Sequence, residues 1–409
     1  MKVLVVSQYF APENFRVNDL VAGLVQRGHE VVVLTGQPNY PSGDFASGYG
    51  WRGPRREQLL GAQVVRVPLV RRAQGSGIRL ALNYLSFAFT ASMAALLRLR
   101  GPFDAIVVFE TSPVTVGIPA AVARWRFGAP ILFWVLDVWP DSLVATGAIK
   151  HPLLLSGVAR LVRWIYACCS LVLVQSKAFP ELITCHGFPS DRIRYFPNWV
   201  EPEYEAVLPY GPARCASQPL TLVYAGNIGA AQGFGLWLDA LAQLESKGVA
   251  TRWRIAGDGR AAEGVKDELS RRGLSHRVEW LGQLPPDQMP ALFAQADALY
   301  VALQADPLFA RTIPGKVQSY LAAGRPVLAM LDGEGARAVE DAEAGLVCAA
   351  GDVTTLVDNV IKLNDMSAGQ REAMGRTGRA YALREFSRNR LFDQLEGWLT
   401  EATQEAKRK

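Results

Sequence analysis

Two stretches of the chain, beginning at Lys2 and at Leu220, run through the same order of elements, and this internal echo constrains the fold more than any other feature. The first reads KVLVV, a loop SQYFAPENF, a helical pattern with Leu20, Leu24 and Val25, and then HEVVVLTG. The second reads LTLVYAG, a loop NIGAAQGF, a helical pattern with Leu236, Leu241 and Leu244, and then ATRWRIAGDG. An apolar run, a polar loop, an amphipathic helix and a second apolar run make a βαβ unit, in which a crossover helix joins two parallel strands. Further buried-strand runs follow, namely DAIVVFETSP, APILFWVLDVWP and CSLVLVQS in the first half and VEWLG, ADALYVAL and RPVLAML in the second. They alternate with helical patterns, which predicts an α/β fold of two Rossmann-like domains, each a doubly wound parallel sheet, facing one another across a cleft. The expected division is residues 1–200, a linker at 201–219 rich in proline, and residues 220–384. A last amphipathic helix at about 385–403 is expected to pack back on the first domain and to end in a solvated, frayed EAKRK.

A length of 409 residues exceeds what one ordinary core organises. The excess of 43 Lys and Arg over 38 Asp and Glu is too small to suggest a nucleic-acid partner, although Arg52, Arg55, Arg56, Arg66, Arg71, Arg72, Arg79, Arg98 and Arg100 bias the first hundred residues. The five cysteines show neither metal-ligand nor disulfide-framework spacing, so reduced thiols in a cytoplasmic protein, with no bound metal, are expected. The apolar run at the N-terminus is too short for a signal peptide and reads as a first strand. From Leu80 to Leu97 there is no charged residue, and Arg79, Arg98 and Arg100 bracket the stretch. Its length permits a membrane span, but Asn83, Ser86, Thr90 and Ser92 dilute it, so a buried helix and an interfacial helix stand beside that reading.

In open parallel sheets ligands bind outside the carboxyl ends of the strands. The loops there carry Tyr9, Glu13, Asn14 and Arg16, then Glu110 and Thr111, then Asp137 and Trp139 in the first half. In the second half they carry Gly226, Asn227, Ile228, Gly229 and Gln232, then Gly257 and Asp258, with Leu281 at the end of VEWLG. Glycines at such turns let a diphosphate approach backbone amides at a helix start, although glycine also serves strand-to-helix turns for steric reasons alone. A sharper pattern is QADPLFARTIPGKVQSYLAAGRPV. Pro314 suits a first helical position, so the amides near Gly315 and Lys316 open a helix with Arg311 close by, and cations there oppose the helix dipole unless an anion is present. Asp137 reads equally as a helix cap or as a site residue.

These motifs resemble the retaining glycosyltransferases of the GT-B fold, the family 4-like group containing many bacterial polysaccharide-assembly enzymes. The likeness rests on RGHEVVVLTG, GFPSDRIRYFPNWV, VYAGNIG, IAGDG, VEWLGQLPPDQMPALFAQADALYV and YLAAGRPVLA followed by EAGLVCAAGD. SQYFAPENFRVNDL, GQPNYPSG, VLDVWPDS and GNIGAAQGF resemble the fucosamine-type branch of O-antigen and capsule synthesis. The resemblance implies a UDP-sugar donor, with GDP-sugar the alternative, held by the second half, and a polyprenyl-diphosphate-linked saccharide acceptor on the first half at the inner-membrane surface. No cofactor or metal is implied. Asn227 and Gln232 stand where the family commonly has a cation pair, Arg311 and Ser319 stand at its Glu-x7-Glu positions, and Leu136 stands at its cleft histidine. Arg311 and Lys316 are then expected to replace the diphosphate ligands, and Asp137 and Glu13 to orient the acceptor, with Tyr9, Asn14, Arg16, Glu110, Thr111 and Trp139 around it. A catalytically silent nucleotide-binding subunit and a nucleotide-sugar epimerase are the alternatives, the scattered histidines (His29, His151, His186, His276) weighing against the second.

Overall fold

The computed structural model describes residues 1–72, 77–204 and 218–408, so the expected linker falls largely outside the described residues. The chain divides into two units, one of Met1–Phe196 with Phe392–Lys409 and one of Pro197–Leu391. In the first unit eight strands form one sheet: β1 (Lys2–Val6), β2 (Glu30–Gly36), β3 (Arg56–Leu59), β4 (Ala62–Val67), β5 (Ala105–Glu110), β6 (Ile131–Val135), β7 (Leu171–Val174) and β8 (Ile193–Tyr195). Their order is β3-β4-β2-β1-β5-β6-β7-β8. Neighbours are parallel except β3 and β4, which pair antiparallel. That hairpin turns on Leu60 (φ 53) and Gly61 (φ 77), a two-residue turn of left-handed residues that matches strand twist. REQL is too polar to read as a strand from its pattern, and only the pairing with β4 makes it one.

The helices of this unit are α1 (Arg16–Gln26), α2 (Gly77–Leu97), α3 (Gly117–Phe127), α4 (Asp141–Ala145), α5 (Pro152–Ala167) and α6 (Phe179–Thr184). Strand order runs one way from β1 to β2 and β4, and the other way from β5 to β8, so the switch lies between β1 and β5. The second unit repeats the design with β9 (Leu220–Ala225), β10 (Thr251–Ala256), β11 (Val278–Gly282), β12 (Ala298–Ala302), β13 (Val327–Met330) and β14 (Gly345–Cys348), all parallel, in the order β11-β10-β9-β12-β13-β14. Its helices are α7 (Phe234–Ser246), α8 (Ala262–Arg271), α9 (Met289–Ala294), α10 (Pro307–Ala310), α11 (Gly315–Ala322), α12 (Gly333–Glu340), α13 (Val353–Asp365) and α14 (Ala368–Glu385). One face of that sheet packs Trp237, Trp253 and Tyr300 edge to face, and the other packs Tyr320, Phe293 and Val339.

Two boundaries follow from contacts rather than composition. Val200 and Tyr204 are buried in the second unit, where Val200 N–H donates to the Phe386 carbonyl and the Arg379 guanidinium donates to the Tyr204 carbonyl. The last helix, α15 (Arg388–Arg408), meets the first unit through Arg27 with Asp393 and Glu396, His29 with Glu396, and Trp398 against Phe196. It is helical to Arg408, with Lys407 and Arg408 in its last turn, where cations favour the dipole.

Helix α2 is two-faced. Asn83, Phe87, Ala88, Ala91, Ala94 and Ala95 are buried on its inner side, whereas Ile78, Leu82, Leu85, Phe89, Met93 and Leu97 are exposed. The fully buried Asn83 accepts from Gln8 Nε2 at 2.6 Å and donates from Nδ2 to the Val70 carbonyl at 2.5 Å and to Asn39 Oδ1 at 3.3 Å. The inner face is therefore fastened to the loops after β1 and β2, which a lipid-surrounded span cannot be. Asn83→Leu strands the Gln8 and Asn39 amides in the core, and a loss of about 2 kcal/mol in denaturant-measured stability is the expected result.

Candidate functional site

In the second unit the site begins with two glycines. The chain leaves β9 through Gly226 (φ 139) and β10 through Gly257 (φ 138), and the two turns lie so close that a Cβ on Gly257 would sit 1.9 Å from the Gly226 carbonyl oxygen. Backbone bonds lock them: Gly226 N–H donates to Ala256, Ile228 N–H to Asp258, and Gly257 N–H to Gly282. Gln232 Oε1 accepts from Gly229 N–H at 3.0 Å and closes the short turn that leads into α7. Of the residues expected there, Ile228 sends its side chain into the core and offers only backbone, Leu281 packs on the core, and Asp258 is exposed and accepts from Gly259 N–H.

Lys316 comes to this place from 90 residues further along the chain, in the first turn of α11. Its Nζ lies 3.9 Å from the centre of the Tyr224 ring and 3.0 Å from where a Gly226 Cβ would be. Desolvation alone pushes its ammonium down to about 7 from 10.5, and among the described residues no carboxylate pairs with it. Pro314 stands one residue before the helix with ψ 131, so Gly315 and not Pro314 opens it; the extended ψ of Pro314 lies outside the helical range. Arg311 is half-buried in the turn between α10 and α11. Ser319, on the same helix, donates from Oγ to Glu201 Oε2 at 2.7 Å. A carboxylate is thus present beside position 319, supplied by a residue the sequence patterns did not single out.

In the first unit two carboxyl groups meet at the ends of β5 and β6. Asp137 N–H donates to Glu110 Oε2 at 3.3 Å, and Asp137 Oδ2 accepts from Trp139 Nε1 at 3.1 Å. Glu110 is fully buried, with Oε1 lacking a hydrogen-bond partner among the described residues. Burial and then the neighbouring Asp137 hold the Glu110 carboxyl well above its ordinary range, and burial raises Asp137 against hydrogen bonds from Ser142, Trp139 and Ser112. Both carboxyl groups therefore hold a proton more tightly than a solvated carboxyl does. Thr111 and Trp139 lie next to the pair in sequence, and Trp139 packs edge to face with Tyr84.

Glu13, expected to orient an acceptor, is already engaged. It is buried, with Oε1 accepting from the N–H groups of Asn39 and Tyr40 at 2.8 Å each and Oε2 from Phe10 at 3.2 Å. Burial nevertheless pushes its carboxyl up to about 7, the hydrogen bonds opposing. Its geometry is that of a clasp between the loops after β1 and β2. Tyr9 is likewise buried, stacked on Phe15 and hydrogen-bonded by Arg72 at 3.0 Å, whereas Asn14 is exposed and Arg16 half-buried at the start of α1. Arg66, read only as one member of a basic run, is fully buried against Glu57, the Gly36 and Ala11 carbonyls and the Tyr49 ring. No group of metal-ligating side chains occurs among the described residues.

Residues 14–199 match the family described as Glycosyl transferase 4-like domain, and residues 219–365 match Glycosyl transferases group 1. The chain is 23% identical over 301 residues to a Pseudomonas aeruginosa protein named "Probable glycosyltransferase WbjE", covering 71% of this chain and 73% of that one. Among solved structures it resembles Anabaena HepE in complex with UDP and glucose, at a TM-score of 0.68 and 16% identity over 98% of this chain and 99% of that one. It also resembles WaaG, a glycosyltransferase involved in lipopolysaccharide biosynthesis, at a TM-score of 0.64 and 16% identity over 95% and 96% of the two chains. Two mostly parallel sheets of this order are those of the GT-B fold.

Because the folded pair binds a proton more tightly than the unfolded chain does, its contribution to stability is complete below the ordinary carboxylate pKa. It is lost as pH rises through the raised value. Glu110→Gln keeps a proton-bearing group at that position. Urea melts across pH 4 to 9 (about that span) are expected to fall less steeply with pH for this variant than for the wild type; parallel profiles would mean that the pair holds no extra proton.

Proposed function

With the chain taken as a glycosyltransferase built from a 4-like domain and a group 1 domain, we propose that it moves a sugar, with retention of anomeric configuration, from a UDP-sugar to a polyprenyl-diphosphate-linked saccharide. The transferred residue is an N-acetylated amino or deoxy hexose, and the setting is bacterial surface-polysaccharide synthesis. WaaG, named for lipopolysaccharide biosynthesis, and the UDP held by HepE support the setting and the nucleotide. An acceptor of this type is held in a bilayer, which puts the enzyme at the cytoplasmic face of the inner membrane as a peripheral protein.

The observation that carries the reading is Lys316. A desolvated ammonium stands beside two glycine turns and the start of a helix with no carboxylate partner among the described residues, and a diphosphate supplies two charges that the Gly315 end of α11 and nearby backbone amides complete. As the sugar–phosphate bond breaks, negative charge grows on the departing diphosphate, and a lysine charged on binding stabilises that state more than the ground state. Glu201, held by Ser319, is placed to accept hydrogen bonds from the hydroxyls of the donor. On the first unit, Asp137 orients the acceptor hydroxyl, its backbone N–H held by Glu110 Oε2. Retention then needs no strong base, because the departing diphosphate itself takes the hydroxyl proton as the acceptor attacks from the same face.

A bound diphosphate favours the charged lysine, so between pH 7 and 10.5 binding must take up a proton that the free protein lacks. Calorimetric titration with UDP in buffers of differing ionisation enthalpy is expected to show that uptake near pH 8 (about), with affinity falling as pH rises, and Lys316→Met is expected to abolish the uptake and weaken UDP by about tenfold or more. UDP binding that is independent of pH and of Lys316 would remove the diphosphate assignment. A panel of UDP- and GDP-sugars screened by thermal stabilisation identifies the donor. Donor binding without transfer to any lipid-linked acceptor would instead favour a silent nucleotide-binding subunit.

A further inference from the structure

Helices α2, α3 and α5 form one layer of the first unit, α2 packing on α3 and α3 on α5. None of the three contains an acidic residue. The sequence is free of Asp and Glu from Gln58 to Phe103, from Thr111 to Leu136 and from Ser142 to Pro180. Along the outside of α2 the exposed residues Ile78, Leu82, Leu85, Phe89, Met93 and Leu97 recur at spacings of three and four, which places them in one stripe about 30 Å long. Ile78 is 76% exposed and Phe89 68%. The same layer exposes Trp125 of α3 at 80% and Leu153 of α5 at 76%, with Leu154 and Trp164 also open to solvent. Arg79, Arg98 and Arg100 stand at the two ends of the stripe, and Arg126, Arg160 and Arg163 are exposed on α3 and α5.

Scattered exposed apolar residues need no explanation, but a continuous stripe with cations around it and no acids within its helices does. We infer that this layer is a docking face for an anionic lipid bilayer, with the outer side of α2 lying in the plane of the headgroups and the arginines meeting lipid phosphates. The charge pattern selects lipid: a layer of three helices that carry arginines and no acids fits a uniformly anionic sheet, and long apolar side chains sink below the headgroups while guanidinium groups remain at their level. The inner side of α2 cannot reach lipid, because Asn83 and four alanines are packed inside the unit, so the contact is interfacial and not a span. Asn83 also bonds to Gln8 and to Asn39, whose N–H is held by Glu13, so the docking helix is tied directly to the loops at the sheet's switch point. This deepens the membrane-side placement proposed above and names the surface that performs it.

Vesicle co-sedimentation of the full chain tests it. Binding to vesicles of phosphatidylcholine mixed with phosphatidylglycerol, weak binding to phosphatidylcholine alone, and release by added salt are expected. The double variant Leu85→Glu with Phe89→Glu is expected to bind at least about tenfold more weakly, with an unchanged thermal melt and unchanged UDP affinity. Ile78→Ser with Leu97→Ser, at the ends of the stripe, is expected to act in the same direction should the first pair disturb folding. Equal binding by the variants, no preference for anionic vesicles, or a wild-type dimer that the same substitutions dissociate without any vesicle binding would overturn the inference. Retention of the wild type on vesicles through alkaline carbonate washing would overturn it too, in favour of a span. Vesicle binding is read without turnover, so a failed transfer reaction and a failed docking face are separate results.

Discussion

Parallel strands can be joined only by crossovers, and in both units the chain leaves the first strand in one direction and later returns to build in the other. At the switch, helices on opposite faces part and the strand ends are left uncovered. The polar groups of each unit gather there because backbone N–H and C=O groups of uncovered loops must be satisfied by something other than a ladder. Gly226, Gly257 and Lys316 meet at one such place, and Gln8, Glu13 and Asn39 meet at the other.

The two units treat buried charge in opposite ways. In the first, the carboxyl groups of Glu13, Glu110 and Asp137 are desolvated and move toward the protonated form, opposed by backbone amides at Glu13 and Glu110 and by side-chain hydrogen bonds at Asp137. In the second, an ammonium is desolvated beside an aromatic ring, with no carboxylate partner among the described residues, and moves toward the neutral form. Each is a cost that the surrounding core must cover.

Helix α2 connects a surface to a site. Its inner face is held by small side chains that allow close approach to α3, and by one asparagine that forms hydrogen bonds with two loops. Its outer face is free of the packing that would otherwise explain leucine and phenylalanine there.

Much of the fold was legible because its period was: runs such as VLVV, IVVF, ILFWV and LVLV have no polar residue to place on a wet face, and only a sheet covered on both sides accommodates them. The glycine turns after β9 and β10 and the cationic start of α11 were legible as well, since these chemistries have local signatures. Three things were not. REQL becomes a strand only through β4; Glu201 reaches Ser319 only because Pro197–Tyr204 packs in the second unit; and Glu13 proves to be a clasp for two loops rather than an open carboxylate. Asn83 is equally silent in sequence, a polar residue in an apolar helix whose partners lie 75 and 44 positions away. The sequence alone determined which segments must be strands and helices, because burial of apolar side chains has a local period. Tertiary structure alone decided which polar groups are spent on one another and which remain for a ligand, because hydrogen-bond partners and desolvation are set by neighbours distant in the chain.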